Sequence, residues 1–322
     1  MNHQSANTTT TDAFLPRVSV VIPIYNSEID LPELMNCLFA QTYPKELVEY
    51  LLVDNNSSDH TFELLQHTAK NSPILIRPLS EKQIQSSYAA RNTGIRAANG
   101  QIIAFTDADC RPQPQWLELL IAPFINNDVA IVAGEITALP GKSLLEQFAD
   151  HQDTLSQKHT LNHQFFPYGQ TANLAIRRQA LEKAGLFRPY LTTGGDADIC
   201  WRIQRENIGR LEFATKAIVQ HRHRTTLKEL QSQWRRYGRS NRYLHELYGV
   251  ELMRDMTLKE CTYRLARWLI KELPKDSIKA LAGKIHLVDL LNTPIGLFTA
   301  RARTAGQREA KLSEKAKVIE TL

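Results

Sequence analysis

Cysteine is scarce in this sequence, and the four residues present are far apart. Cys37, Cys110, Cys200 and Cys261 form no C-x-x-C pair, and no histidine stands at zinc-site spacing beside them. A structural zinc site needs closely spaced ligands, so this pattern argues against one. It is typical of a protein kept in a reducing compartment.

Long apolar runs are also missing. No window provides the roughly 20 uncharged residues that a membrane-spanning helix needs, and the polar start MNHQSANTTTTDAF lacks the apolar core of a signal peptide. We therefore expect a disordered leader over residues 1–15 and a cytoplasmic protein after it. The composition, 43% hydrophobic and 23% charged over 322 residues, is ordinary for a folded protein with a large core.

The charges are unevenly divided along the chain. Residues 1–200 carry 14 Lys and Arg against 21 Asp and Glu, whereas residues 201–322 carry 25 against 13. A basic region of this kind favours a polyanionic partner or a membrane surface.

Apolar runs alternate with helix-like stretches from residue 17 onward. The predicted strands are at 18–26, 49–56, 74–79 and 102–107, and the predicted helices at 27–41, with Ser27 as cap, 57–70 and 87–99. Such alternation predicts a parallel sheet with right-handed crossovers. Ligands bind beyond the carboxyl ends of the strands in sheets of this kind.

The alternation loosens in the second half of the chain. A strand at 128–136 is followed by a helix around 143–160, a short helix ending at Gly185 and a last strand near 211–220. From Leu227 to the end only helical patterns occur, interrupted by Pro274 and Pro294.

Two carboxylates separated by one alanine, Asp107 and Asp109, follow the apolar run IIAFT directly. A solvated turn is the simple explanation of a D-x-D in a chain of this length. Their position at a strand end, in line with Asp54, favours a site for a divalent cation and a phosphate instead. Mg²⁺ or Mn²⁺ suits such oxygens and would offset the repulsion between the two charges.

A second acidic cluster, GGDADICWR, begins a helix-like run. Helix capping would explain both acids, and Asp198 fits that role or a local ion pair. Asp196 follows two glycines, which allow a close approach to a ligand, and is the better candidate for a reacting carboxylate. Further on, His221 and His223 face opposite ways on an extended segment, so at most one of them points into a site.

Six segments in order resemble family 2 glycosyltransferases with the GT-A fold. They are VSVVIPIYN, LLVDNNSSDHT, AARNTGIRAANGQIIAFTDADCRPQPQWL, GQTANLAIRR, GGDADICWRI and HRHRTTLKELQSQWRRYGR. The resemblance implies an α/β protein with a Rossmann-like, mostly parallel sheet, divided into a catalytic domain over 16–225 and a basic helical region over 226–322. It also implies a metal-dependent, inverting enzyme that takes a sugar from a nucleoside diphosphate.

The resemblance further implies a role for each matching residue. Pro23, Tyr25, Asp54, Arg91 and Asp107 would bind the nucleotide, with Tyr25 on the base and Asp107 by the ribose and metal; Asp109 and His221 would hold Mg²⁺ or Mn²⁺, and Asp196 would be the catalytic base. The sequence departs from the family at Gly195, where a glutamate is common, and this departure bears on recognition of the acceptor.

Two other functions remain open from the sequence. A nucleotidyltransferase would share the sheet and the metal site, but would be expected to have a Gly- and Lys-rich loop after the first strand, where this chain has IPIYNSEIDL. A non-catalytic sugar- or membrane-binding relative is suggested by Gly195. The expected partners are a nucleotide-sugar donor and a glycan or lipid-linked acceptor, as in cell-surface polysaccharide or glycolipid synthesis, and no nucleic acid.

The basic region also suggests a peripheral contact with an anionic membrane at its cytoplasmic face. Residues 227–303 combine helical apolar spacing with many cations and with tryptophan and tyrosine. The same pattern would arise if these helices packed on the catalytic domain and exposed a solvated basic face.

Overall fold

The computed structural model describes residues 14–322, and an eight-stranded sheet lies at its centre. The strands are β1 (Val18–Ile24), β2 (Val48–Asp54), β3 (Leu75–Ser80), β4 (Ile102–Phe105), β5 (Cys110–Pro112), β6 (Val129–Ala138), β7 (Leu174–Arg177) and β8 (Arg210–His221). Their order across the sheet is β3-β2-β1-β4-β7-β6-β8-β5.

The sheet is mixed, with parallel pairs in the majority. β1 pairs parallel with β2 and β4, β2 with β3, and β6 with β8, whereas β7 is antiparallel to β4 and β6, and β5 to β8. The antiparallel pairs involve strands that follow the point where the strand–helix alternation of the sequence loosens. The predicted α/β class with a mostly parallel sheet is therefore confirmed.

Twelve α-helices are found in the described part of the chain. They are α1 (Leu31–Phe39), α2 (Thr61–Lys70), α3 (Ser87–Ala97), α4 (Trp116–Ile121), α5 (Leu144–His151), α6 (Gln157–Leu161), α7 (Arg178–Ala184), α8 (Gly195–Arg205), α9 (Leu227–Tyr248), α10 (Leu258–Arg267), α11 (Leu273–Leu281) and α12 (Asn292–Glu309). A π-helical turn, Trp268–Glu272, joins α10 to α11.

Apolar side chains cover both faces of the sheet. Along β2, Tyr50 and Leu52 enter one apolar cluster, and Leu51 and Val53 enter the other. Strands buried on both faces have nearly continuous apolar sequences, which is why the runs at β1 and β2 are so easily recognised. Truncating a fully buried side chain such as Leu52 to alanine would cost about 2–5 kcal/mol of stability.

Two predicted local features differ from the structure, and a third lies largely outside the described residues. Ser27 is not the cap of α1, because the helix begins at Leu31 after Asp30, and the Ser27 hydroxyl donates to the Tyr25 carbonyl instead. The helix expected around 143–160 is two helices, α5 and α6, separated by a turn at Asp153, whose φ is +48°. The predicted leader lies outside the described residues except for Phe14 and Leu15.

The C-terminal helices are present as predicted, and they pack against the rest of the chain. Leu244 of α9 lies in one apolar cluster with Ala197 and Trp201 of α8. The Glu320 carboxylate accepts hydrogen bonds from Asn92 and Arg96 of α3 at 3.1 and 2.5 Å. The division at 225/226 into two domains stays a prediction. Within residues 14–322, no helix is both long and apolar enough to cross a membrane.

Candidate active site

The carboxyl ends of β1 and β2 hold three of the predicted nucleotide-binding residues. In the parallel register Pro23 lies beside Val53 and Ile24 beside Asp54. Tyr25 follows β1 with 53% of its surface exposed, and the buried Asp54 carboxylate accepts hydrogen bonds from the Ser57 amide at 3.3 and 3.4 Å. An exposed aromatic ring thus stands close in register to a buried carboxylate that has few partners.

The first acid of the D-x-D pair is held by an arginine. Arg91 on α3 is buried, and its Nη2 lies 2.5 Å from Asp107 Oδ1. The Nε of Arg91 is buried without a hydrogen-bond partner among residues 14–322. An unpartnered buried donor is costly, by about 1–3 kcal/mol, and marks a place where a ligand oxygen could bind.

The second acid of the pair lies against a histidine from the far end of the sheet. The antiparallel pairing of β5 with β8 sets Cys110 opposite His221, and His221 Nε2 comes within 3.4 Å of Asp109 Oδ1. The other ring nitrogen, Nδ1, lies 2.7 Å from the Arg222 carbonyl oxygen. Because a carbonyl oxygen only accepts, Nδ1 carries a proton, and Nε2 is directed toward the carboxylate.

The chemistry of these donors fits a divalent cation such as Mg²⁺ or Mn²⁺. Asp109 Oδ1 and His221 Nε2 converge with the Cys110 sulfur, each ligand atom within 4.8 Å of the others. Burial, followed by the charges of Asp109 and Asp107, raises the pKa of the Cys110 thiol well above its ordinary value. Sulfur is a poor ligand for Mg²⁺ and Mn²⁺, so the Asp109 oxygen and the His221 nitrogen are the candidate ligands. So few protein ligands leave positions for phosphate oxygens and water.

The acid at the start of α8 is suited to accepting a proton. Asp196 lies in the first turn of α8, after Gly194, whose φ is +83°. Burial raises the pKa of its carboxyl; the Arg91 charge opposes this shift and the Asp107 charge adds to it. The Thr171 hydroxyl donates to Asp196 Oδ1 at 3.0 Å and also lowers the pKa.

The glycine before this acid is explained by a neighbouring tyrosine. The Gly195 amide donates to the Tyr88 hydroxyl at 3.0 Å, and a Cβ added at Gly195 would lie 2.7 Å from Tyr88 Cζ. A side chain at position 195 would therefore collide with this ring. The Tyr88 ring lies where a glutamate at this position would begin.

A cavity of about 640 Å³ brings several of the predicted residues together. Arg91, Asp107, Asp196 and His221 line its wall. Asp109 adjoins it through His221, whereas Pro23, Tyr25 and Asp54 lie outside its lining, at the ends of β1 and β2. A nucleotide-sugar is an extended molecule, so a single ligand can span several neighbouring strand ends.

The cavity also contains basic and aromatic residues that the sequence did not assign to a site. Arg224, Trp234, Arg236, Tyr237 and Arg303 line it, contributed by the segment after β8 and by α9 and α12. Within residues 14–322, none of the three arginines pairs with an acid, and the Arg303 guanidinium lies 5.6 Å over the Trp234 ring. The signal that could have found the α9 residues is their spacing: Gln233, Arg236, Tyr237 and Ser240 lie three, four and seven residues apart and so share one face of a helix.

Asp198 and His223, the other acid and histidine of the two motifs, do not line this cavity. Buried Asp198 pairs with Arg188 at 2.9 Å and Arg202 at 3.1 Å, which is the local role expected for it. His223 is buried beside a smaller, separate cavity, and burial lowers its pKa to about 4, with His221 adding to the shift. His221 and His223 therefore face different spaces, as their spacing indicates.

Comparison with known proteins identifies the family. The model of glycosyl transferase family 2 matches residues 19–185, which is more than half of the chain. The chain belongs to this family. It is a glycosyltransferase that acts with nucleotide-sugar donors. A nucleotidyltransferase and a non-catalytic relative are thereby set aside.

Curated relatives agree with this assignment, and a solved structure shares the fold. Glycosyltransferase AglE of Haloferax volcanii is 35% identical over 81% of this chain and 83% of its own length. The Escherichia coli enzyme WfgD, named as a UDP-Glc:alpha-D-GlcNAc-diphosphoundecaprenol beta-1,3-glucosyltransferase, is 29% identical over 42% of this chain and 51% of its own length. A mannosyltransferase from Pyrobaculum calidifontis, solved with GDP-Man and Mn²⁺, shares the fold with a TM-score of 0.59 and 17% identity, over 91% of this chain and 88% of its own.

Proposed function

We propose that this glycosyltransferase inverts the configuration of the sugar it transfers, with Asp196 as the base. The observation that carries the proposal is a carboxyl of raised pKa, Asp196, in one cavity with the Arg91–Asp107 pair and His221. A general base works best when its pKa approaches the working pH, and burial moves this carboxyl in that direction.

The donor would bind along the ends of β1, β2 and β4. Tyr25 and Pro23 would contact the base, Asp54 would accept a hydrogen bond from it, and the free Nε of Arg91 would reach a donor oxygen. Asp109 and His221 would hold Mg²⁺ or Mn²⁺, as the donor set favours. The Mn²⁺ in the solved mannosyltransferase supports this assignment. When bound, the cation stabilises negative charge on the leaving diphosphate.

In the transfer step one bond forms and one breaks at the anomeric carbon. The acceptor hydroxyl oxygen attacks that carbon while its proton passes to Asp196, and the bond to the diphosphate oxygen breaks. The nucleoside diphosphate leaves with the bonding electrons. Arg224, Arg236 and Arg303 add positive charge to the same cavity and would favour this leaving anion. Because a single displacement from the opposite side occurs, the configuration inverts.

The proposed acceptor is a glycan or a lipid-linked sugar, used at the cytoplasmic face of a membrane in cell-surface polysaccharide or glycolipid synthesis. WfgD, as its name states, acts on a sugar linked to a lipid diphosphate, which supports the second kind of acceptor. The arginines around the cavity are also suited to an acceptor that carries a phosphate group.

The test is the stereochemistry of the product. With Mn²⁺ and a panel of nucleotide-sugars, release of nucleoside diphosphate identifies the donor, and NMR of the glycosylated product reports the anomeric configuration. An inverted product that depends on the metal is expected. A product with retained configuration would overturn the single-displacement proposal, and full transfer in excess chelator would overturn the metal assignment.

A further inference from the structure

The helical segment from α10 to α11 is largely exposed. No residue of α10, of the π-helical turn or of α11 is buried within the described structure. Large apolar side chains are nevertheless frequent there: Leu258, Tyr263, Ile270, Ile278 and Leu281 are 66–88% exposed, and Leu287, shortly after α11, is 70% exposed. Exposed apolar side chains in such number, within one segment, indicate an interaction surface.

This segment is also strongly basic. Residues 258–287 contain seven Lys and Arg and three Asp and Glu. The three acids are already paired: Glu260 with Arg254, Glu272 with Arg267 at 3.0 Å, and Asp276 with Lys279 at 2.9 Å. Lys259, Arg264, Lys271, Lys275 and Lys284 have no acidic partner within residues 14–322.

The positive charge of this segment distinguishes between two possible partners of its apolar surface, a second copy of the chain and a lipid bilayer. A second copy of the same surface would bring like charges together, which opposes self-association. Short amphipathic helices with Lys and Arg beside Leu, Ile and Trp are suited to lie in the interface of a bilayer with anionic headgroups. We propose that α10, the π-helical turn and α11 dock the protein on the surface of an anionic lipid bilayer.

The structure leaves only part of residues 227–303 as a candidate for the membrane contact expected from the sequence. Of residues 227–303, α9 and α12 contribute Trp234, Arg236 and Arg303 to the catalytic cavity, so these residues have another use. A second groove, of about 600 Å³, is lined by Arg264 of α10 and by Gly296 and Arg303 of α12. Since Arg303 lines both spaces, the docking segment adjoins the catalytic cavity, and an acceptor anchored in the bilayer would be presented near Asp196.

The test is vesicle flotation of the full chain. We expect binding to vesicles containing phosphatidylglycerol at low salt, weak binding to pure phosphatidylcholine, and release as salt screens the charges. The variant Lys271→Gln/Lys275→Gln/Lys284→Gln should bind roughly a hundredfold less tightly, from about 1 kcal/mol per charge. The matched control Lys45→Gln/Lys70→Gln/Lys82→Gln, on exposed lysines of the catalytic region, should bind like the wild type.

A second variant tests the apolar contribution. Ile270→Ser/Ile278→Ser/Leu281→Ser changes only exposed side chains, so folding should be retained, and binding to anionic vesicles should be lost. The control Leu75→Ser/Ile125→Ser removes exposed apolar side chains outside the docking segment and should bind like the wild type.

Absence of flotation at low salt or equal binding to both lipids would overturn the proposal. So would wild-type binding by the lysine or the apolar variant of the docking segment. A dimer, seen by ultracentrifugation, that the apolar variant dissociates would also overturn it. The docking proposal rests on the proposed function, which places the acceptor at a membrane, and it names the segment that would contact the lipid. Flotation involves no transfer reaction, so either proposal can fail without the other.

Discussion

At the scale of single residues, the D-x-D pair has separate partners for its two acids. Asp107 is paired with Arg91, and Asp109 lies beside His221. Two neighbouring carboxylates would otherwise raise the cost of ionising each other. This division leaves Asp109 as the acid best placed to hold a cation, while Asp107 is held in a fixed orientation.

Replacing Asp109 by alanine should abolish metal-dependent donor binding, because the cation would lose its main protein ligand. Calorimetry with Mn²⁺ and a nucleoside diphosphate measures this directly. Asp128→Asn, which removes a carboxylate that is 67% exposed and paired with Arg210, is the matched control and should bind normally. Unchanged metal-dependent affinity in folded Asp109→Ala protein would contradict the assignment.

Replacing Asp196 by asparagine should lower transfer by on the order of a hundredfold or more while donor affinity is kept, since the amide has the shape but not the basicity. A carboxyl whose pKa rises on folding destabilises the folded state above that pKa. The variant should therefore melt at the same temperature or higher at neutral pH. Loss of donor affinity with normal turnover of bound donor would make Asp196 a binding residue instead.

The pH dependence of kcat should also report on Asp196. The base is active only when deprotonated, and its pKa is raised, so activity should fall with acid at a higher pH than an exposed aspartate would give. Thr171→Val removes a hydrogen bond that lowers this pKa and should move the acid limb to still higher pH. Thr171→Ser, which keeps the hydroxyl, should restore the wild-type profile. An acid limb at the same pH in Thr171→Val would argue against Asp196 as the titrating group.

At the scale of elements, the close packing of α9 on α12 completes the cavity wall. A Cβ at Gly238 would lie 1.9 Å from the Arg303 carbonyl oxygen, and one at Gly306 would lie 1.9 Å from the Arg235 carbonyl oxygen. The backbones approach this closely only because both positions lack side chains. This approach brings Arg303 to the same cavity as Trp234 of α9.

Alanine at either glycine should separate the two helices. We expect Gly238→Ala and Gly306→Ala each to destabilise the protein by about 1–3 kcal/mol, as overpacking does, and to lower transfer because the cavity wall moves. Gly296→Ala, also in α12, is the control: apart from its own chain neighbours and the adjacent turns of its helix, no described atom lies within 4 Å of the added Cβ, so helix propensity should stabilise the variant by about 0.5–1 kcal/mol. Urea unfolding of the three variants measures the difference; equal effects would contradict the packing argument.

At the scale of the whole molecule, the charge division of the chain corresponds to two places in the structure. The acidic first part carries the carboxylates of the site, and the basic part contributes Arg224, Arg236 and Arg303 to the cavity and the exposed lysines of α10 and α11. Positive potential around a cavity attracts anionic substrates and speeds their encounter with the protein. The basic region would thereby supply residues both to the candidate site and to the proposed docking surface.

Ligand binding should stabilise the whole fold in a metal-dependent way. A ligand that binds only the folded state stabilises it by about 2.7 kcal/mol at a hundred times its Kd. We expect Mn²⁺ and the cognate nucleoside diphosphate together to raise Tm, and a chelator to reverse the rise, in differential scanning fluorimetry. Equal stabilisation by the nucleotide in excess chelator would contradict the role assigned to Asp109 and His221.

Several features follow from the sequence alone because they depend on local patterns. The buried runs of β1 and β2 predict strands, the acids after the strands predict a site at the carboxyl edge, and the glycines before Asp196 predict a close approach. The split between α5 and α6 was missed because the turn at Asp153 depends on a positive φ, which aspartate adopts without any distinctive sequence signal.

Other features were decided only by the tertiary structure. The contact of His221 with Asp109 depends on the pairing of β5 with β8, and the entry of Arg303 into the cavity depends on the α9–α12 approach. Each joins residues far apart along the chain, through a strand register or a helix contact that no local pattern encodes. The sequence by itself determined which chemical groups are available and at which strand and helix ends they stand. Long-range packing decided which of them meet, because it is the burial of both sheet faces and of the helix contacts that selects one arrangement.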